Sequence, residues 1–264
     1  MNNRVLLIAV ASLLVLGGVA AGVYNWVLGP TLAASGVITA IPVVIAEATT
    51  AGNTATPVPA TATGAATAET VPSEAPPATA EAPAGGLTVL QILPAESEVR
   101  FILSEVLRGQ PTTVVGTTNQ VAGEIAVDPN DLSTAQLGVI QVNARELATD
   151  SNQRNRAIRN FILNTDSYEY ITFTPGEVIG LDGSAQPGDT FTFQLAGDLT
   201  IRDITQPVVF DVSATVEDMN RLSGTAVVTV QRADYNLAIP SVPSVADVSE
   251  EVRVELDFVA AAGS

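Results

Sequence analysis

A two-residue period runs through the C-terminal two thirds of this 264-residue chain and limits its fold more than any other feature. In Asp189–Ile201, Phe191, Phe193, Leu195, Leu199 and Ile201 fall on one side, and Thr190, Thr192, Gln194, Asp198 and Thr200 on the other. Val208–Asp218 repeats this, with Phe210, Val212, Ala214 and Val216 against Asp211, Ser213, Thr215 and Glu217. So does the C-terminal run, with Val252, Val254, Leu256 and Phe258 against Arg253, Glu255 and Asp257. Successive side chains of a strand point to opposite faces, so these are strands with one apolar and one wet face, as in antiparallel sheets. Shorter versions occur at Val99–Leu103, Val121–Val127 and Ile171–Phe173. Turn signals lie between them at 128–131, Asp182-Gly183, Pro187-Gly188 and Asn220-Arg221. Arg202-Asp203 separates two strands by two residues and predicts a hairpin. Seven or eight such strands must close or stack to hide their apolar face and edges. The expected fold is therefore all-β: an antiparallel closed barrel of about eight strands, wide enough for one elongated ligand.

One stretch breaks the pattern. Ser151–Phe173 is the only segment between residues 87 and 264 with a helical period, and predicts one short helix. At about 100° per residue, Ala157, Ile158, Phe161 and Ile162 share a face, with Arg156, Arg159 and Asn160 opposite. Arg154 falls inside the apolar arc. It either snorkels or pairs with a carboxylate on a lid helix, or faces the mouth of whatever the strands enclose.

Upstream of the strands the chain changes character twice. From Val5 to Val23 there are 19 residues without a charge, enough at about 1.5 Å each to nearly span the hydrocarbon core of a bilayer. Tyr24 and Trp26 follow at the expected interfacial depth. Residues 1–29 read as a signal anchor with a transmembrane helix, a cleavable signal peptide being the competing reading. Arg4 precedes the span and the next basic residue is Arg100, so the rest of the chain is expected outside the cytoplasm, periplasmic or at the cell surface, or secreted if the segment is cleaved. Residues 30–86, rich in Ala, Thr and Pro, read as a disordered linker that buries too little surface to offset its ordering entropy. Residues 87–264 form the folded domain.

Composition removes whole classes of function. The chain has no Cys and no His, which excludes a disulfide framework, the usual transition-metal sites and the His-dependent nucleophile mechanisms. No catalytic residue and no metal ligand is assigned, and the domain is not expected to be an enzyme. A formal charge of −17 argues against nucleic acid as a partner. Asp128-Pro129-Asn130-Asp131 reads as a turn rather than a calcium loop. Glu250 and Glu251, adjacent on a strand, point to opposite faces. Arg145 and Arg232 are expected to be surface ion-pair partners.

Several pieces of the domain occur together in a known order. They are SEVRFIL, VAGEIAVDPNDLS, RNRAIRNFI, YEYITFTP, LAGDLTIRDITQPVVFDV, LSGTAVVTVQRADYNL and VRVELDF. Between about residues 90 and 259 the chain resembles the YceI-like family of extracytoplasmic lipid-binding proteins. The resemblance implies a lipocalin-like barrel that takes a long polyisoprenoid chain into an apolar tunnel, with no cofactor beyond such a lipid. Two positions depart from the family: Ser104-Glu105-Val106 replaces a stretch that often carries His, and Arg154-Asn155 replaces a common Arg-Asp. All seven phenylalanines lie in the domain, all but Phe161 on strands. Those strand residues either fill a solid core or line the implied tunnel. On the tunnel reading the lipid-binding set is Phe101, Leu103, Ile158, Phe161, Phe173, Phe191, Phe193, Phe210 and Phe258, with Arg154 at the lipid head group.

Two functions remain open on this footing. One is a membrane-tethered carrier or sequestering protein for a long apolar lipid, its membrane contact made through the N-terminal helix; a homodimer is compatible with it. The other is a display or adhesion module with a filled, ligand-free barrel, which predicts no internal cavity.

Overall fold

In the computed structural model, which describes residues 35–43 and 86–263, the alternating segments pair into one antiparallel sheet that curls around a cavity. Its strands are β1 (Thr88–Ile92), β2 (Glu98–Leu107), β3 (Gln110–Thr118), β4 (Val121–Ala122), β5 (Glu124–Asp128), β6 (Asp131–Leu137), β7 (Ile140–Asn143), β8 (Tyr170–Ile179), β9 (Thr190–Ile201), β10 (Ile204–Asp218), β11 (Arg221–Gln231), β12 (Val245–Ala246) and β13 (Glu251–Ala262). Thirteen strands stand where alternation predicts about eight. The excess comes from short strands and from strands whose inward face is not apolar. On β3, for example, the buried positions alternate through Val114, Gly116 and Thr118, so the apolar period is lost although the strand is regular.

The longest pairing is a hairpin read from the sequence, β9 with β10, and β10 also pairs with β11. β13 follows β11 on one side. On its other side it pairs with β2 near its start and with β1 near its end. The path then runs from β1 through β5 to β6, and in the other direction from β10 through β9, β8 and β7 to β4. β4 and β5 are two parts of one run broken at Gly123, so both arms of the path arrive at the same glycine. Ile92 and Ile140, from the neighbouring elements, pack over it.

The Arg202-Asp203 hairpin forms with Ile201 opposite Ile204. Arg202 takes φ 60°, a conformation that glycine adopts more readily. Its side chain lies 5.8 Å from the Tyr168 ring centroid and donates to the Ile162 carbonyl at 3.4 Å. In the 128–131 turn, Asp128 Oδ1 accepts from the Asn130 amide at 2.9 Å.

The helical stretch is shorter than its period suggests. α1 covers Asn152–Ala157, capped by Ser151, whose hydroxyl accepts from the Arg154 amide at 3.4 Å. Ile158–Ile162 then continues as a π turn, closed by the Leu163 amide on the Ile158 carbonyl at 2.8 Å. This corrects the face assigned from the wheel. A five-residue repeat brings Leu163 into the core with Ile158, while Phe161 rotates out and is 57% exposed.

Arg145 and Arg232 are not surface residues as expected. Arg232 is buried, and its guanidinium donates to the carbonyls of Ser249 (2.8 Å), Leu237 (2.9 Å) and Val248 (3.3 Å), and to Glu250 (2.7 Å). It thereby pins residues 237–250 onto the domain. Arg145, also largely covered, donates to the Thr165 carbonyl at 3.0 Å. Period-two reading misses both, because the loops that cover them carry no periodic signal.

The apolar run at residues 5–23 lies outside the described residues. So does most of the linker, but residues 35–43 are described and lie against the domain, where the Val43 amide donates to Glu124 at 2.9 Å. Among the described residues no helix is long and apolar enough to cross a membrane.

Candidate functional site

The sheet encloses a cavity of about 970 Å³, at the upper end of the range for small-molecule sites. Its wall is set by the inward residues of the alternating strands. Along β9 these are Phe191, Phe193, Leu195, Leu199 and Ile201, and along β10 they are Phe210, Val212, Ala214 and Val216. Phe101, Leu103, Ile158, Phe161, Phe173, Phe191, Phe193, Phe210, Phe258 and Arg154 all border this one space. Phe161 does so from the exposed rim, the others from within the wall or beside the helix.

A wall so rich in phenylalanine would be expected to fill its own interior. It does not, because three of the rings lie over glycines. Phe101 pairs directly across from Gly116 on β3. A Cβ at Gly116 would collide with the Phe101 ring, whose Cδ1 would stand 3.0 Å away and whose Cε1 and Cζ would stand closer still. Phe258 pairs across from Gly224, and a Cβ there would lie 2.8 Å from its Cζ. A Cβ at Gly197 would meet the Phe173 Cζ at 2.6 Å. Each ring lies against the backbone of its glycine, and its thickness is taken up by the wall. Phe173 also meets Phe210 edge-on, with centroids 4.9 Å apart and planes at 71°, a favoured aromatic geometry.

One mouth of the cavity is framed by α1, the π turn and the loop after β11. From the helix come Gln153, Arg154, Ala157 and Phe161, and from the loop come Ile239, Pro240, Val242 and Val245. The polar feature of this mouth is a charge cluster. Arg154 Nη2 lies 2.7 Å from Glu105 Oε1, and Nη1 contacts the Asp150 carboxylate. Glu105 is 6% exposed. It follows Phe101 and Leu103 on the inward face of β2 and is therefore legible in the strand period, as a buried acid at an apolar position. Its partner Arg154 is the residue the helical wheel places inside the apolar arc. The arginine in the apolar arc and the buried acid on β2 answer each other.

Asn155, where the resemblance implies an acid, is buried and reads the backbone of Thr149. Its Oδ1 accepts from the Thr149 amide and hydroxyl, each at 2.7 Å, and its Nδ2 donates to the Thr149 carbonyl at 3.3 Å. Of these three contacts an ionised carboxylate could make only the first two. Asn155 therefore holds the loop before α1 and does not project a polar group into the cavity.

Further wall residues escape the sequence reading. Leu147 and Leu163 come from loops, and Val114 from a strand without clean alternation. Beneath the loop, the Tyr235 side chain is 1% exposed and its hydroxyl has no hydrogen-bond partner. Burial, with Asp234 nearby, pushes this phenol up to about 12. Among the described residues no cluster of acidic side chains could hold a metal ion.

Comparison with solved structures finds the same fold in distant proteins. A polyisoprenoid-binding domain from Saccharophagus degradans, implicated in plant cell wall breakdown, superposes with a TM-score of 0.52 at 14% identity, over 67% of this chain and 99% of that one. BcnA from Burkholderia cenocepacia gives a TM-score of 0.50 at 15% identity, over 64% and 98%. Comparison with curated proteins found no match. Comparison with protein families matches residues 90–260 to the YceI-like domain. With the curled antiparallel sheet, the apolar cavity and a family match covering most of the chain, this protein belongs to the YceI-like domain family.

Proposed function

We propose that the domain binds a long apolar lipid of the polyisoprenoid type inside the sheet, for carriage, storage or sequestration. The observation that carries this reading is the 970 Å³ cavity, kept open by phenylalanines stacked on wall glycines. A display module with a filled barrel predicts no such space. Because β4 runs into β5 at Gly123, the two arms of the curled sheet approach each other there and wrap the ligand. Binding is driven by apolar burial at about 25 cal/mol per Å².

The mouth favours a neutral polar head group over an anionic one. Arg154 is engaged by two carboxylates, so the three side chains together carry one net negative charge. A phosphate entering there meets repulsion from Glu105 and Asp150, whereas a hydroxyl can donate a hydrogen bond to either carboxylate. On this reading Arg154 orders the mouth and does not capture charge.

The resemblance and the apolar run at residues 5–23 support a site outside the cytoplasm, with residues 1–29 as the anchor. The domain is a binding protein rather than a catalyst. The test is to purify the chain from residue 30 onward without detergent and extract it for mass spectrometry. Bound lipid with a long hydrocarbon chain is expected. Lipid-free protein that also fails to take up added polyprenol refutes the proposal. Equal uptake of polyprenol and polyprenyl phosphate refutes the head-group preference alone.

A further inference from the structure

We infer that residues 35–43 are an arm that docks on the domain in cis and sets how far the domain can move from the chain's N-terminal segment. These residues fall inside the 30–86 linker span but are more apolar than the rest of it, and they meet a seat built from Glu124 and Gly138. Glu124 is 7% exposed. Its Oε2 accepts the Val43 amide at 2.9 Å and its Oε1 accepts Gln91 Nε2 at 3.1 Å. A buried carboxylate must be hydrogen-bonded to remain buried, and bonds to an ionised acceptor are the strong kind. The arm thus supplies one of the donors that Glu124 requires.

Gly138 fixes the path of the arm. Its own amide donates to the Glu124 carbonyl at 2.8 Å, which ties both halves of the seat together. A Cβ at Gly138 would stand 3.2 Å from the Ile41 carbonyl oxygen and 3.5 Å from the Val43 Cβ. The arm therefore lies as close as a residue without a side chain permits. Ile38 is the apolar anchor, 6% exposed beside Val37 at 92%. A segment with one buried side chain between exposed neighbours is seated, not merely adjacent.

The connection between seat and arm makes docking in cis efficient. Residues 44–85 join them in sequence, and a connection of that length gives an effective concentration on the order of millimolar. A contact too weak to hold a free peptide at ordinary concentrations is then largely formed. Resting on the anchored reading above, docking cuts the tether between the apolar segment and the domain to residues 24–34. At about 3.6 Å per residue that is a reach of roughly 40 Å at most. Undocked, the tether runs over residues 24–85, so the domain has a near state and a far state.

The chain has no cysteine, so a designed pair reports without interference. The 3.5 Å separation of the Cβ positions at 43 and 138 suits a disulfide. In the full chain carrying Val43→Cys and Gly138→Cys, mild oxidation is expected to give an intramolecular disulfide and a monomer on a non-reducing gel. It should form about tenfold faster than in a Val37→Cys, Gly138→Cys control, which samples the same linker without the seat. Adding Glu124→Ala should slow it toward the control rate. Cross-linking no faster than the control, or a disulfide between two chains, overturns the inference. Hydrogen exchange on the unmodified chain gives a second reading that does not depend on how the variants fold: the Val43 amide should be protected, and exchange as fast as in residues 44–85 overturns the inference as well. Neither readout depends on residues 1–29. Recovery of the protein in the soluble fraction would refute the anchor while leaving the arm intact.

Discussion

Gly116→Ala tests whether the phenylalanines line a tunnel or fill a core. The three atoms nearest the added methyl would all belong to the Phe101 ring. Ordinary carbon–carbon contact is about 3.5–4.0 Å, so the ring must retreat by roughly 1.5 Å, and the open direction is into the cavity. Overpacking of a filled core costs about 1–3 kcal/mol, while replacing glycine in a strand returns about 0.5–1 kcal/mol. With a cavity to receive the ring, the net loss of stability should stay below about 1 kcal/mol. The ring then takes the place of roughly two methylenes of ligand at about 0.8 kcal/mol each, which weakens lipid binding by about fifteen-fold. The assay pairs a urea unfolding curve of the lipid-free protein with a polyprenol titration. A variant destabilised by about 3 kcal/mol with unchanged polyprenol affinity would falsify the argument, since the ring would then have had no free space to enter.

Three other perturbations follow from particular contacts. Arg154→Gln leaves Glu105 buried without its cation; a fully buried pair broken this way loses about 3–5 kcal/mol, so about 2 kcal/mol is expected at this part-exposed mouth. In a urea unfolding series, the Glu105→Gln, Arg154→Gln double variant should recover much of the loss, and strict additivity would show that the pair is not coupled. Tyr235→Phe removes a buried hydroxyl that has no partner and should stabilise the fold at neutral pH by up to about 1 kcal/mol. The unmodified protein should also lose stability from about pH 10 to about pH 12, by up to about 1.4 kcal/mol per pH unit. In that window the unfolded phenol ionises at its ordinary value while the folded one keeps its proton; below it both are neutral and the contribution is intact. Denaturation at pH 8 and pH 11 with and without Tyr235 checks the sign, and an equal alkaline loss in both refutes it. Arg232→Ala strips the donors from three loop carbonyls and should cost about 3 kcal/mol, with hydrogen exchange rising over residues 237–250. Unchanged exchange there would show that the loop is held by other contacts.

Alternation alone determined that the domain is an antiparallel sheet with one wet and one apolar face. It also placed every strand phenylalanine on the inward side, because a strand's period depends only on its own residues. Glu105 was legible on the same grounds, as an acid in register with Phe101 and Leu103. Other features required partners far away in the chain. Whether inward phenylalanines make a core or a tunnel depends on what faces each ring, and Gly116 lies across from Phe101 only once β2 and β3 pair in that register. The π turn that carries Phe161 outward departs from the α period of the sequence. Arg154 was visible as an arginine in an apolar arc, but its role was set by Glu105, 49 residues away. The arm at residues 35–43 was hidden most completely. Its Val and Ile residues set it apart from the Ala/Thr/Pro-rich remainder of residues 30–86, but without a period they name no partner; the buried carboxylate of Glu124 and the bare backbone of Gly138 give it a place to bind.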